Sequence, residues 1–192
     1  FLETLPNNHM VSGYAEMLKH GLIKDKSYWN TLINFESLDA SALNEMIYDS
    51  VVIKNKIVTE DPTEQGLRKI LNFGHTLGHA IESYFLGNAD KTPLLHGEAI
   101  AIGMLLEAYI STKTAGLSND EFKEIEDGIL KTFSKVEISE SDQKIIIDLL
   151  QYDKKNSHGK VKFVLLEAIG KPKINCEVNN DILLEAFKHY NA

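Results

Sequence analysis

Two histidines four residues apart, each preceded by a glycine, constrain this chain more than any other feature. The segment reads Asn72-Phe73-Gly74-His75-Thr76-Leu77-Gly78-His79-Ala80-Ile81-Glu82. Side chains three or four positions apart on a helix are neighbours, so His75 and His79 share a face. That spacing suits two imidazoles converging on one metal ion or one anion. An interior helical glycine costs roughly 1 kcal/mol relative to alanine. Gly74 and Gly78 therefore call for a reason, and close approach of another backbone or a ligand supplies one. A second cluster, Leu95-His96-Gly97-Glu98-Ala99-Ile100, again puts a histidine beside a glycine at the start of an apolar helix. The plainer alternative is a pair of core histidines on a tightly packed helix.

Helical periodicity dominates the rest. The pattern predicts helices over about 8–22, 28–35, 40–59, a histidine helix stopping near Gly87, a strongly apolar helix over 97–112, and a last one over 180–190. Asp61-Pro62 ends the third, since proline cannot easily continue a helix. Ser118-Asn119-Asp120-Glu121 and Ser139-Glu140-Ser141-Asp142 read as helix starts. Segments 160–167 and 171–178 flank Ile169-Gly170 as a candidate hairpin. The expected fold is mainly α, a single helical domain over residues 1–192 with one small β-hairpin near the C-terminus.

At 192 residues the chain is long enough for a proper core. A net charge of -8 and the absence of a basic block argue against nucleic acid or a bilayer surface as partner. Cys176 is the single cysteine, so no intrachain disulfide or thiolate metal site is available, and a reducing cytoplasm is the expected home. No apolar run is long enough to span a membrane. The chain opens without an initiator methionine, which reads as a piece of something longer. Among its 20 basic residues Arg68 is the lone arginine. Lysine cannot supply a planar bidentate grip on carboxylate or phosphate, which marks Arg68 as a candidate. One continuous helix through Arg68, Asn72, His75 and His79 would place all four on one stripe.

Other candidates follow from the first helix, where Glu16, Lys19 and His20 lie at i, i+3 and i+4. A glutamate with two histidines from elsewhere makes a three-ligand zinc site with open positions, the usual catalytic form; an ordinary Glu16–Lys19 surface ion pair is the simpler reading. Lys54 sits among Val51, Val52, Ile53 and Ile57, an apolar neighbourhood in which a lysine needs a partner or reaches to water. Lys154 and Lys155 precede the hairpin, as phosphate contacts or as a solvated charge run.

Taken together these residues resemble the C-terminal half of the 3-dehydroquinate synthase family. The matching stretches are Thr4-Leu5-Pro6; Ser12-Gly13-x-Ala15-Glu16-x-x-Lys19-x-Gly21-x-Ile23-x-Asp25; Lys54-x-x-x-Val58-x-x-Asp61-x-x-Glu64-x-Gly66-x-Arg68; Leu71 to Glu82; His96-Gly97-Glu98-Ala99-x-x-x-Gly103-Met104; Asp153-Lys154-Lys155-Asn156; and Leu165-Leu166-x-x-Ile169-Gly170. They run in order along nearly the whole chain. The family's N-terminal Rossmann-like NAD domain is not among them.

The resemblance implies that Glu16, His75 and His96 bind Zn2+ or Co2+, with His79 near the substrate instead of ligating. It makes His20 a decoy, since the family commonly has tyrosine there. It implies that Arg68 and Lys54 hold a substrate carboxylate, that Lys19 meets the ring region, and that Asn72 with Lys154 (in preference to Lys155) holds phosphate. Phe1, Leu2, Glu3 and Thr4 match a strand end that touches NAD+. The implied activity is conversion of a sugar-acid phosphate to 3-dehydroquinate and phosphate in the shikimate pathway, by a cytoplasmic homodimer when full length. An isolated half would be inactive. Asn8-His9 departs from the commoner Arg-Glu after Thr-Leu-Pro, and the loop before His96 is a little long. The competing readings are another sugar phosphate cyclase, making an inosose or valiolone, and a helical metal-binding module without catalysis.

Overall fold

The computed structural model describes residues 4, 6–35, 40–156 and 161–192, with backbone alone for 7, 40–42 and 151–156. In chain order it consists of α1 (Asn7–Lys24), α2 (Lys26–Ile33), α3 (Ala40–Glu60), a 3-10 helix (Leu67–Asn72), α4 (His75–Gly87), α5 (His96–Thr114), α6 (Asn119–Leu130), α7 (Glu140–Asn156), β1 (Phe163–Ala168), β2 (Lys171–Cys176) and α8 (Asn180–Tyr190). The fold is mainly α with one antiparallel hairpin, as the periodicity implies. Among the described residues no helix is long and apolar enough to cross a membrane.

Helix α5 is the axle. From Ala99 to Ala108 every residue is buried, which explains why this segment is apolar on all sides instead of showing one stripe. Helices α1, α4, α6 and α8 and strand β1 all pack against it. Local chemistry sets the boundaries. Asp25 closes α1 and caps α2, its side chain accepting the Tyr28 N–H at 3.0 Å. Ser118 and Asn179 cap α6 and α8 in the same way.

The hairpin pairs Phe163 with Cys176 and Leu165 with Lys173. Strand β1 is buried from Phe163 through Leu166 while β2 alternates, so β1 is the inner strand and β2 the edge. The turn is anchored by the Gly170 N–H, which donates to Leu22 O at 2.8 Å. Leu166 N–H donates to Ser111 Oγ at 2.9 Å, tying β1 to α5.

One expectation is corrected here. Arg68 and Asn72 do not share a continuous helix with His75 and His79. The chain runs 3-10 from Leu67 to Asn72, turns extended at Phe73, and passes through Gly74 at φ +77° before α4 begins. That left-handed backbone is the conformation glycine reaches without a Cβ penalty.

Candidate metal centre

Three imidazoles meet at the adjacent starts of two helices. His75 is the first residue of α4, His79 lies one turn on, and His96 is the first residue of α5. Their ring centroids are 5.1 Å (His75–His79), 5.6 Å (His75–His96) and 5.7 Å (His79–His96) apart. One nitrogen from each lies within 4.8 Å of the others. Glycine permits this convergence. A Cβ on Gly78 would press on Ile100 Cα at 3.1 Å and Ala99 O at 3.2 Å. The reason sought for Gly78 is therefore backbone approach, helix against helix. At Gly97 a Cβ would collide with the Ser12 main chain, and the Gly97 N–H donates to Ser12 Oγ at 2.8 Å. That contact brings α1, and with it Glu16, against the start of α5.

Hydrogen bonds assign the ring protons. His75 Nδ1 lies 3.2 Å from Phe73 O, and His96 Nδ1 lies 3.1 Å from Glu82 Oε2. A carbonyl or carboxylate can only accept, so each Nδ1 carries the proton and each Nε2 keeps its lone pair in the neutral ring. This is the arrangement of metal-ligating histidines, whose second nitrogen is held by an oxygen. Among the described residues no hydrogen bond fixes either ring nitrogen of His79.

Glu16, on α1, borders the cluster at His75. Its Oε2 accepts from the Lys19 ammonium at 2.8 Å, while Oε1 lies 3.4 Å from His75 Nε2. Oε1 is buried and has no hydrogen-bond partner among the described residues. Burial pushes the His75 pKa down to about 4, and the nearby Lys19 charge adds to that, so the ring is neutral at pH 7. Burial alone would raise the Glu16 carboxyl, but the Lys19 ammonium outweighs it and holds the group below its usual range. Two lone pairs thus face each other across 3.4 Å with no proton between them. A cation fits such a gap. The Glu16–Lys19 pair is not a surface bridge, because Lys19 is only 3% exposed.

A family model described as 3-dehydroquinate synthase C-terminal matches residues 13–156. The chain belongs to this family. Relatives named 3-dehydroquinate synthase include one from Parabacteroides distasonis, 38% identical over 192 residues, covering 99% of this chain and 54% of the relative. Another, from Thermodesulfovibrio yellowstonii, is 39% identical, with 95% and 51% covered. The chain spans about half the length of the curated relatives it matches. The fold recurs in a 2-epi-5-epi-valiolone synthase from Streptomyces hygroscopicus subsp. jinggangensis solved with NAD+ and Zn2+ bound (TM-score 0.82, 22% identity, 98% of this chain and 53% of that one). It recurs again in a 2-deoxy-scyllo-inosose synthase complexed with carbaglucose-6-phosphate, NAD+ and Co2+ (TM-score 0.76, 24% identity, 97% and 53%).

Arg68 donates from Nη1 to Pro62 O at 2.9 Å and keeps Nε 3.9 Å from Glu64 Oε2. Asn72 donates to the other Glu64 oxygen at 2.8 Å. Arg68 and Asn72 are therefore joined through Glu64, beside the turn that leads into His75. Lys54 is exposed on α3, so its apolar neighbours in sequence do not surround it; its charge is nonetheless felt by Lys19 and His20. His20 is buried outside the imidazole cluster, its Nδ1 2.8 Å from Ser50 Oγ on α3. Thr4 is exposed; Phe1, Leu2, Glu3 and the side chains of Lys154 and Lys155 lie outside the described residues.

Sequence reasoning missed four contributors. Glu82, at the end of the histidine motif, orients His96. Ser12 docks α1 on α5. Asp142 on α7 binds Lys91 Nζ at 2.6 Å and the Tyr84 hydroxyl, fixing the loop that leads to His96. Glu107 lies fully buried in α5 and accepts the backbone N–H groups of Gly74 at 2.7 Å and Leu77 at 3.1 Å. Its signal was available, because it is the one charge in the apolar stretch between Glu98 and Lys113, and a buried charge requires a partner.

Proposed function

We propose that this chain is the metal- and substrate-binding half of a 3-dehydroquinate synthase, converting 3-deoxy-D-arabino-heptulosonate 7-phosphate to 3-dehydroquinate and phosphate. The observation that carries this reading is the buried Glu16 Oε1, which has no donor among the described residues and faces the ring nitrogen of His75 that carries no proton. Glu16, His75 and His96 would hold a divalent ion such as Zn2+ or Co2+, whose preference for mixed nitrogen and oxygen donors they meet. Phe73 O and Glu82 pre-set the two rings for that task. His79, with neither nitrogen tied among the described residues, is left for substrate oxygens. When bound, the ion would acidify a substrate hydroxyl and so ease hydride loss from its carbon to NAD+.

The remaining residues bind and orient. Lys19 holds Glu16 ionised and puts a buried positive charge beside the substrate ring. Arg68 and Lys54 take the carboxylate, with Arg68 exchanging its 3.9 Å approach to Glu64 for a bidentate grip. Asn72 and Lys154 hold phosphate. Anchoring both anionic ends keeps one conformer through oxidation, elimination, reduction and ring closure. The departing phosphate can itself take the neighbouring proton, so the chain need not supply a strong base. Phe1, Leu2, Glu3 and Thr4 contribute to the NAD+ site of the complete enzyme, and the 192 residues alone are expected to bind metal without turnover.

Higher identity to proteins named 3-dehydroquinate synthase than to the valiolone and inosose synthases favours this reaction over other cyclisations. Cobalt titration tests the site. The chain should bind one equivalent, His79→Ala should still bind it, and the His75→Ala/His96→Ala double variant should bind none. Stoichiometric metal in the double variant would refute the ligand assignment. Assay of a complete enzyme against several sugar phosphates tests the substrate.

A further inference from the structure

We infer that Glu107, midway along α5, is the positioning residue that sets the histidine helix, acting as an N-terminal cap delivered from a different helix. The start of α4 presents N–H groups with no intrahelical partner, those of Gly74, His75, Thr76 and Leu77. The first bond within the helix is donated by Gly78 to Gly74 O at 3.0 Å. Helices ordinarily meet this need with Ser, Thr, Asp or Asn at the cap. Here the cap is Gly74, which makes no side-chain cap bond. Glu107 takes two of the four instead, Gly74 N–H on Oε2 and Leu77 N–H on Oε1, and the Thr76 N–H is close enough to stabilise the same carboxylate. Burial pushes the Glu107 carboxyl up to about 8, while the backbone N–H groups pull it back toward the ionised form that suits this positive helix end; each oxygen accepting an N–H is the geometry of that form.

The geometry ties the three imidazoles to one element. His75 lies between two residues that Glu107 holds, and His79 follows one turn later. His96 opens the very helix that carries Glu107. A single rigid α5 therefore bears one imidazole at its start and fixes the other two through its own carboxylate. Ser111 extends the lock: its hydroxyl donates to Glu107 O at 2.6 Å and accepts from Leu166 N–H at 2.9 Å, bracing α5 on β1. The effect on metal binding rests on the ligand reading above; the capping role does not.

Glu107→Gln tests it, because the amide keeps the shape but turns an acceptor oxygen into an NH2 facing a backbone N–H. Co2+ affinity should fall ten- to a hundredfold, the range for groups that hold a ligand in place. The ring 15N resonances of His75 and His79 should move, and the amides of Gly74, Thr76 and Leu77 should lose hydrogen-exchange protection. Ile129→Val, in the α6 core, is the control for plain destabilisation and should leave Co2+ affinity unchanged. Unchanged affinity and protection in Glu107→Gln would overturn the proposal, as would the same affinity loss in Ile129→Val. If the wild-type chain binds no Co2+, the metal reading fails and amide protection alone decides Glu107. If Glu107→Gln does not fold, wild-type exchange decides it: these three first-turn amides should exchange as slowly as the interior of α5, and fast exchange would overturn the cap.

Discussion

Gly103→Ala places a methyl group where α5 crosses α4 most closely. A Cβ there would stand 2.7 Å from Gly78 N, where 3.4 Å is ordinary contact, and nearer still to Gly74 O. Helix α4 must therefore withdraw by about 0.7 Å at Gly78 and by about twice that at Gly74. Both obstacles are main chain and cannot rotate away, so the cost belongs at the upper end of overpacking, about 3 kcal/mol. Helix propensity returns about 1 kcal/mol. The net loss of about 2 kcal/mol corresponds to a fall in Tm of about 4–8 °C for a chain of this size. Gly13→Ala supplies the contrast. Gly13 is exposed within α1 and nothing would lie within 4 Å of its Cβ, so the same chemical change should raise Tm by about 2–4 °C. Circular-dichroism melts of both variants, with Co2+ titration of each, make the assay. Gly103→Ala should also weaken Co2+ binding, because the withdrawal carries His75 and His79 away from His96. A Gly103→Ala protein that melts at or above wild type and binds Co2+ normally would refute the account of this helix crossing.

Three further outcomes are expected. Asp142→Asn removes the anion that holds Lys91, Tyr84 and Ser139, and should cost about 2 kcal/mol, the scale of hydrogen bonds to a charged group. Burial would raise this carboxyl, but those partners hold it at about 2, so wild-type stability from this source is lost only as pH falls from about 4 toward 2; acid melts of Asp142→Asn should lack that slope. Burial, aided by Lys19, depresses His20 to about 4. Between pH 6.5 and 4 the unfolded chain then binds more protons, and stability should fall with pH across that window. His20→Gln should make that fall shallower in urea unfolding at pH 7, 5.5 and 4.5, with His75 supplying the remaining slope; an unaltered slope counts against the buried neutral ring. In a complete enzyme, Arg68→Lys should raise KM and leave metal content at wild-type level; metal loss would show the arginine's role to be misassigned.

Much of the architecture was legible because it is written in local chemistry. Asp61-Pro62 follows directly on the end of α3 at Glu60, Ser118 caps α6, and the final helix runs Asn180–Tyr190, where periodicity had put it. The hairpin around Gly170 was equally plain, though β1 is shorter than the pattern allowed. The break at Phe73-Gly74 is not legible in the spacing. A helical stripe from Arg68 to His79 satisfies spacing alone, and the left-handed step at Gly74 is enforced by α5 pressing against it, a contact distant in sequence. Lys54 was open between a paired and a water-reaching side chain, and helix α3 leaves it exposed, a choice its neighbours along the chain could not make.

The residue sequence by itself determined which side chains were available for chemistry: one arginine, a pair of histidines at helical spacing, a third beside a glycine, and a glutamate near the start. Those types and spacings follow from periodicities of three to four residues, which reach no further than a helix turn. Only the tertiary structure decided that His75, His79 and His96 converge with Glu16 against His75, that Phe73 O and Glu82 hold the Nδ1 atoms of His75 and His96, and that Glu107 binds the start of α4. These depend on packing between helices separated by tens of residues, where a missing Cβ or a buried carboxylate sets distances that no local pattern encodes.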